Sequence, residues 1–548
     1  MEFLQYGAFV PEGELYARIM KSFDRMESSM YAVPDVFHVK AGQQSFDWPG
    51  DWEGRTLLAI IMLAKASGRT PKTLDAILQQ LPDYLNKNGH MGSVIEDGLI
   101  NEQLLAGNSW LMRALCELYE WKKEDTILQM IQAMIDGLIL KTQGTYEVYP
   151  ITKNSRQTGG GEEAGFLTGE VNNGWLSSTD IGCAFIMLDG ASHAYHITKN
   201  PELYTVINDM IHRFAQADLM DATFQTHATL SATRGILRFY GDTKEPWLLE
   251  LCEKLFDYYV KNGMTENYAN YNWFGRPEWT EPCAIIDSYI AAMMLWQYTA
   301  KSDYLDYANN ILYNGIYYAQ RDNGGFGCDV CVGAGQPTVH PTGSESYEAW
   351  WCCTMRGGEG LAKAAEYMAS FEDGTVYLPM YQCGTFTIGG ITVKETTAYP
   401  YEGNVQIDVL GNKGDCSRIA FYLPKWVTDA RITTGQASNQ QDGFLIVSGE
   451  WKEGDKIKLE FTIPLYELPA ISPSYAGWKT IRYGTLELTY CANDGLTEMP
   501  DIATLVPSKE EKGCFLSTEG KRFVALSTMT FKSKEEILNS RLQVLYKN

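Results

Sequence analysis

Two fragments of this 548-residue chain carry soft metal ligands at short spacing. "NYNWFGRPEWTEPCAIIDSY" holds Glu281 and Cys283, and "SYEAWWCCTMRGGEG" holds Cys352 and Cys353. Neighbouring cysteines are poor partners for each other, because a vicinal disulfide needs strained geometry. As thiolates beside a carboxylate they form a four-donor set of the kind that zinc takes in a tetrahedron. Glu281 and Cys283 can reach one ion at a loop–helix junction, since an extended i, i+2 pair points to the same side. Cys352 and Cys353 can close the other two positions if the loop bends between them. The pattern is less specific than a paired C-x-x-C ribbon. The competing reading is that these are ordinary buried core cysteines.

Other stretches carry candidate chemistry. "GGFGCDVCVGAGQPTVH" has Cys328 and Cys331 as C-x-x-C, with Asp329 between them and His340 after. Without a preceding strand this is weak evidence for thioredoxin-type redox chemistry. A share in a metal site and plain packing in a glycine-rich loop are the alternatives, and packing is favoured. "FDWPGDWEGRTLL" packs Asp47, Trp48, Asp51, Trp52, Glu53 and Arg55 ahead of an apolar run, and Trp273, Arg276 and Trp279 precede Glu281. Indole faces among carboxylates suit a sugar platform with hydroxyl-binding groups. A capped, salt-bridged loop accounts for any one of them equally well.

Such residues need a scaffold. Up to about residue 370 apolar residues recur at three- and four-residue spacing. The periodicity predicts helices over Pro11–Met30, Arg55–Ser67, Pro71–Asn86, Asn101–Glu120, Glu124–Leu140 and Ser178–Thr198. More follow over Pro201–Ala217, Thr223–Tyr240, Pro246–Asn262, Ala284–Thr299, Asp303–Gln320 and Tyr347–Ala369. They come in pairs with short breaks, several marked by proline near a helix start. About twelve paired helices suit an (α/α)6 barrel, whose longer loops gather at one end and build a cleft. After Phe371 the period changes to two, in "GTVYLPMYQCGTFTIGGITVKETTAYP", "NVQIDVLG", "RIAFYLP", "FLIVSG" and "KIKLEFTIP". That alternation reads as a β-sandwich. The expected division is a multidomain α-then-β chain. An (α/α)6 barrel catalytic domain spans residues 1–368, and a β-sandwich region, one sandwich with room for a small second one, spans 369–548.

Composition narrows the partners. The formal net charge is −23 and no basic stripe occurs, which argues against nucleic acid and anionic membranes. No run of eighteen apolar residues exists, so no membrane span is expected. The N-terminus has no basic n-region and no long apolar core, and the twelve cysteines are scattered. A cytoplasmic protein with reduced thiols is the expectation, although a trimmed export signal would leave no trace. The 14 Trp and 33 Tyr suit flat binding surfaces for sugar rings, or large aromatic cores. A homo-oligomer is compatible with all of this.

The fragment from "TEPCAIIDSY" through "WWCCTMRGGEGLAKAAEYMASFEDGTVYLPMY" resembles glycoside hydrolase family 127, the β-L-arabinofuranosidase family. The order of motifs agrees: E-x-C opening one helix, C-C opening another, then a strand entering a sandwich. The resemblance spans roughly Asp47 to Gly390 and is thin elsewhere. It implies a retaining exo-glycosidase acting on a small glycoside or oligosaccharide of plant type. Glu281, Cys283, Cys352 and Cys353 would hold Zn2+, and Cys352 would be the nucleophile. The family's acid/base glutamate lies in a G-E-x-aromatic stretch, which points to Glu266 followed by Tyr268, with Glu278 as the alternate. Family members hold the sugar with several histidines. Here Asn108 stands at the first such position, Asp180 lies near the second, and His227 is kept at the third. The P-P-N that follows the cysteine pair in the family is absent from "TMRGGEG". The chain is thus a divergent relative. Trp48, Asp51, Trp52, Glu53, Arg55, Trp273 and Arg276 complete the expected sugar contacts. Two rival readings stand beside this one: a metal-independent (α/α)6 hydrolase or lyase, and a non-catalytic carbohydrate-binding protein with structural zinc.

Overall fold

The computed structural model describes residues 1–38, 48–95, 98–156 and 164–547. Asp47 lies outside them. Six helices pack side by side in a closed ring: Asp51–Ser67, Glu102–Lys122, Met187–Thr198, Thr226–Thr243, Pro282–Thr299 and Cys353–Glu366, the last returning to the first. The helices that precede each of these in the chain lie outside the ring: Gly13–Met26, Leu74–Gln80, Asp125–Met134, Pro201–Phe214, Pro246–Asn262 and Asp303–Asn310. The alternation of outer and inner helices is the (α/α)6 barrel. Sequence explains which is which. Pro201–Phe214 buries only Leu203, Val206, Ile207, Met210, Ile211 and Phe214, a single stripe. Asp51–Ser67 is buried from Asp51 through Ala66, as a helix surrounded by others must be.

Two helix starts differ most from the periodicity reading. Ser178 ends a strand, and the helix placed from it starts only at Met187. That strand, Trp175–Ser178, belongs with Ile100–Asn101 and Leu167–Asn172 to a three-stranded sheet within the helical half. The helix placed from Tyr347 starts at Cys353, because Cys352 adopts φ −150°, ψ −60° and cannot continue it.

From Ser370 onward the chain is mainly β. Two six-stranded sheets form the sandwich, and a nine-stranded sheet follows. The first strands of the chain take part. Glu2–Phe3 pairs antiparallel with Ser370–Glu372, and Phe9–Pro11 pairs with Gly384–Ile388. Thr338–Val339, from a barrel loop, joins the third sheet beside Leu542–Gln543. The β region is therefore knitted to both ends of the helical sequence.

Charged side chains fill the barrel interior, and each inner helix contributes. Arg234 pairs with Asp189 (3.4 Å), Asp287 (2.5 Å) and Glu359 (2.7 Å). Arg113 meets Asp189 (3.2 Å), and Arg356 meets Asp287 (2.5 Å) and Glu359. The Asp287 carboxyl is held far below the usual carboxylate range. Burial opposes that, but Arg356, Arg234 and His227 outweigh it. Since Asp287 is ionised, His227 donates through Nδ1 (2.7 Å to Oδ2), leaving Nε2 to accept from Arg55 at 3.3 Å. Burial drives His227 down to about 4, with Asp287 opposing and Arg55 and Arg356 assisting.

Two expectations follow from these contacts. A Cβ on Gly54 would lie 2.2 Å from the Leu111 backbone nitrogen, where two inner helices touch, whereas one on Gly411 meets nothing within 4 Å. Gly54→Ala should cost about 1–3 kcal/mol in denaturant unfolding, and Gly411→Ala less than about 0.5 kcal/mol. His227 stays neutral in the folded protein down to about pH 4, while the unfolded chain protonates it near the ordinary histidine value of 6.5. Between those values the unfolded state binds more protons, so stability falls as pH falls. A contribution of about 3 kcal/mol, lost across that window, should be missing from His227→Gln when unfolding is followed against pH.

Candidate active site

A cavity of about 700 Å³ opens where inner helices begin. Its wall includes Asp51, Trp52, Glu53 and Arg55 from the first turns of one inner helix, His227 from another, Glu281 as the cap of a third, and Cys352 and Cys353 at the start of a fourth. Each helix start offers unpaired N–H groups and the positive end of its dipole, which favours anionic donors there.

Glu281 is extended (φ −119°, ψ 107°), Pro282 takes the first helical position, and Cys283 falls in the first turn. The two donor atoms thus converge across a loop–helix junction, with the helix cap bringing them together. The bend at Cys352 does the same for the adjacent cysteines. Cys283 Sγ lies 3.6 Å and Cys352 Sγ 3.3 Å from Cys353 Sγ. The carboxylate oxygen of Glu281 joins them, all four ligand atoms lying within 4.8 Å of one another. None of these cysteines is in a disulfide.

The donor set fits zinc. Four ligands about 2.3 Å from a tetrahedral centre are about 3.8 Å apart, close to the sulfur separations here. The electrostatics agree. Burial pushes the Glu281 carboxyl up to about 8, with Asp180 adding to the rise and Arg55 opposing it. Burial pushes Cys283 and Cys353 well above the usual thiol range. At Cys352 a hydrogen bond with Cys283 pulls downward, but Cys353 and burial outweigh it. A divalent cation is the charge that lets such groups ionise together. Arg55 adds fixed positive charge, with Nη1 3.3 Å from Cys283 Sγ and its guanidinium 4.4 Å above Trp110.

The cluster is graded in exposure. Cys283 and Cys353 are fully buried, while Cys352 is partly exposed and faces the cavity. Polar and aromatic groups surround it. The Asn272 amide, with its nitrogen turned toward Glu281, donates to Oε2 (2.5 Å) while its oxygen accepts from Trp279 Nε1 (3.2 Å). Gln225 reaches the same oxygen at 3.4 Å. Trp48 lines the wall with φ +62° and anchors its indole N–H on Gly165 O (3.0 Å). Trp52 stacks between Tyr31 and His38.

Of the residues expected from sequence, the cavity brings together Trp48, Asp51, Trp52, Glu53, Arg55, Asp180, His227, Trp279, Glu281, Cys328, Cys352 and Cys353. The other described ones are not part of its wall. Glu266 accepts from the backbone amides of Ile471 (3.0 Å) and Ser472 (2.6 Å), which come from the C-terminal β region, and is 4 % exposed. Glu278 is half out in solvent on Arg276 (2.6 Å). The expected proton donor and its alternate are thus both committed elsewhere. Asn108 is buried and spends its amide on Pro49, Met91 and Leu104 carbonyls, a loop-pinning role rather than a sugar contact. Trp273 is fully buried beneath Arg276. Cys331 donates to the Asn270 carbonyl (3.6 Å), while Cys328 lines the cavity.

Sequence reasoning passed over Gln225, Asn272, His38, Trp350 and Trp351. The last two are 41 % and 44 % exposed, an unusual state for tryptophan, and directly precede Cys352. Their position beside the cysteine pair was the available signal, hidden by the helix placed over Tyr347–Ala369.

Two family descriptions match this chain: "Beta-L-arabinofuranosidase, GH127 catalytic domain" over residues 259–366, and "Beta-L-arabinofuranosidase, GH127 middle domain" over residues 375–463. No curated protein sequence matches. Among solved structures, one described as a glycoside hydrolase is 14 % identical with a TM-score of 0.72, covering 100 % of this chain and 97 % of its own. A GH127 β-arabinofuranosidase is 11 % identical, with a TM-score of 0.71 and coverage of 100 % and 97 %. The GH127 β-L-arabinofuranosidase Ara127N of Geobacillus stearothermophilus T6 is 14 % identical, with a TM-score of 0.70 and coverage of 98 % and 99 %. At these identities the structures speak for the shared barrel-and-sandwich fold. The family matches fall on the segments that carry the E-x-C and C-C donors: residues 259–366 match the GH127 catalytic domain and residues 375–463 the GH127 middle domain, which marks the chain as a glycosidase of this type.

Proposed function

We propose that this enzyme is a retaining exo-glycosidase that removes β-L-arabinofuranose-type sugars, using Cys352 as its nucleophile. The observation that carries this reading is the graded exposure of the four-donor cluster. Of its three thiols, Cys283 and Cys353 are buried, while Cys352 is partly exposed to a cavity large enough for a sugar ring. A structural zinc site is closed by its four protein ligands, whereas a catalytic one stays accessible to substrate. The substrate is taken from the family description, since the lining residues specify a polyhydroxylated ring rather than one sugar.

Glu281, Cys283, Cys352 and Cys353 would hold zinc, which when bound keeps thiols ionised at neutral pH. Cys352 Sγ attacks the anomeric carbon, and the glycosidic oxygen leaves. Water then reaches the same carbon from the face that the leaving group vacated, and two displacements restore the starting configuration. Arg55 and the helix starts favour negative charge on the sulfurs. Neutral His227 is locked by Asp287 and Arg55, so it can offer no proton of its own. The tryptophans around the mouth supply flat apolar faces for sugar C–H surfaces.

Purified protein should contain one zinc per chain by elemental analysis, and Cys283→Ser should lose most of it. Cys352→Ser should lower kcat/KM on an aryl β-L-arabinofuranoside at least about a thousandfold, as loss of a nucleophile does in other hydrolases. Proton NMR of the first-formed sugar should show retained configuration. An inverted product, or a mechanism-based label found on a carboxylate with Cys352 free, would remove the nucleophile role from Cys352.

A further inference from the structure

With Glu266 and Glu278 committed elsewhere, the proton that the leaving oxygen needs must come from another group. Among the described residues four carboxyls line the cavity: Asp51, Glu53, Asp180 and Glu281. Asp51 is paired with Arg55 at 2.8 Å, Glu53 accepts the His38 amide at 2.9 Å, and Glu281 belongs to the thiol cluster. Asp180 differs. It is 4 % exposed and lines the cavity, and its Oδ1 is buried with no hydrogen-bond partner. An ionised carboxylate with a bare buried oxygen is costly, whereas a protonated one aimed at a substrate oxygen is satisfied on binding. The backbone fixes the residue, since the Asp180 amide donates to Ser178 Oγ at 3.1 Å.

We propose that Asp180 is the acid/base of this glycosidase. The assignment rests on the Cys352 reading above. In the first step Cys352 Sγ forms the bond to the anomeric carbon, the carbon–oxygen bond breaks, and the Asp180 carboxyl gives its proton to the departing oxygen. In the second step Asp180, now a carboxylate, takes a proton from water. The water oxygen bonds to the anomeric carbon, and the carbon–sulfur bond breaks to return the thiolate.

The electrostatic setting agrees with this cycle. Burial raises Asp180 to about 7, opposed by the Gly165 amide and Arg276 and assisted by Glu102. Glu281 and the Cys183 thiol also sense Asp180. A carboxyl poised near neutrality can both give and take a proton at physiological pH.

The test uses full-length Asp180→Asn, with Glu266→Gln in parallel, each checked for zinc content and thermal unfolding against wild type. Substrates are a methyl and a 2,4-dinitrophenyl β-L-arabinofuranoside, with and without sodium azide. Asp180→Asn should lose about 10²–10⁴-fold in kcat/KM on the methyl glycoside, and far less on the dinitrophenyl one, whose leaving group needs no proton. Azide, which needs no base, should accelerate the variant's turnover of the dinitrophenyl glycoside and yield the glycosyl azide of retained configuration. Equal losses on both substrates without azide rescue, an unimpaired Asp180→Asn, or the leaving-group pattern appearing in Glu266→Gln would overturn the assignment. A wild type inert on both glycosides would overturn the proposed function and this assignment with it. Active wild type beside unimpaired Asp180→Asn would overturn this assignment alone.

Discussion

Inner helices of this barrel begin at one place, and the site depends on that. Asp51–Ser67, Thr226–Thr243, Pro282–Thr299 and Cys353–Glu366 all bring their N-terminal residues to the cavity. The unpaired N–H groups there make the floor electropositive before any side chain is counted. Carboxylates and thiols are the natural answer to that potential. The ionic interior continues the theme below the floor, where Arg113, Arg234 and Arg356 are matched by Asp189, Asp287 and Glu359. Removing one member would strand its partner without solvent, which is strongly destabilising.

Arg55 links the two layers. It touches Asp51, Cys283 and His227, and its guanidinium lies over Trp110. Through His227 the contact passes to Asp287 and from there to Arg234 and Arg356. The rotamer of a side chain beside the Cys283 thiol is thus fixed by charges on the far side of the barrel interior. Such support shells commonly set how well a metal or nucleophile is oriented.

Much of this was legible in the sequence because its signals were local. Prolines at helix starts and apolar stripes mark the outer helices, and the E-x-C and C-C pairs stand at helix caps where spacing alone brings donors together. What escaped was decided at long range. Glu266 matches a family pattern, yet loop residues some two hundred positions later occupy its carboxylate. Asn108 stands where a sugar-binding histidine was expected, and its amide is consumed by three carbonyls that no local pattern reveals. The helix expected across Tyr347–Cys352 failed for a subtler reason. Its apolar residues include Trp350 and Trp351, which face solvent at the mouth instead of a core. Periodicity reports apolar spacing but is silent on which apolar residues are kept exposed for a ligand.

The strands Glu2–Phe3 and Phe9–Pro11 have a consequence for how the chain reaches this fold. They are made before the helical ring, and their partners, Ser370–Glu372 and Gly384–Ile388, only after it. Their backbone donors and acceptors must wait in water while the barrel assembles between them. Loop closure over such a separation is entropically slow, and contacts of this kind form late. Vectorial synthesis therefore leaves the sandwich edge open until the end, and a chain stalled after the last barrel helix would carry two unpaired strands able to recruit the wrong neighbour.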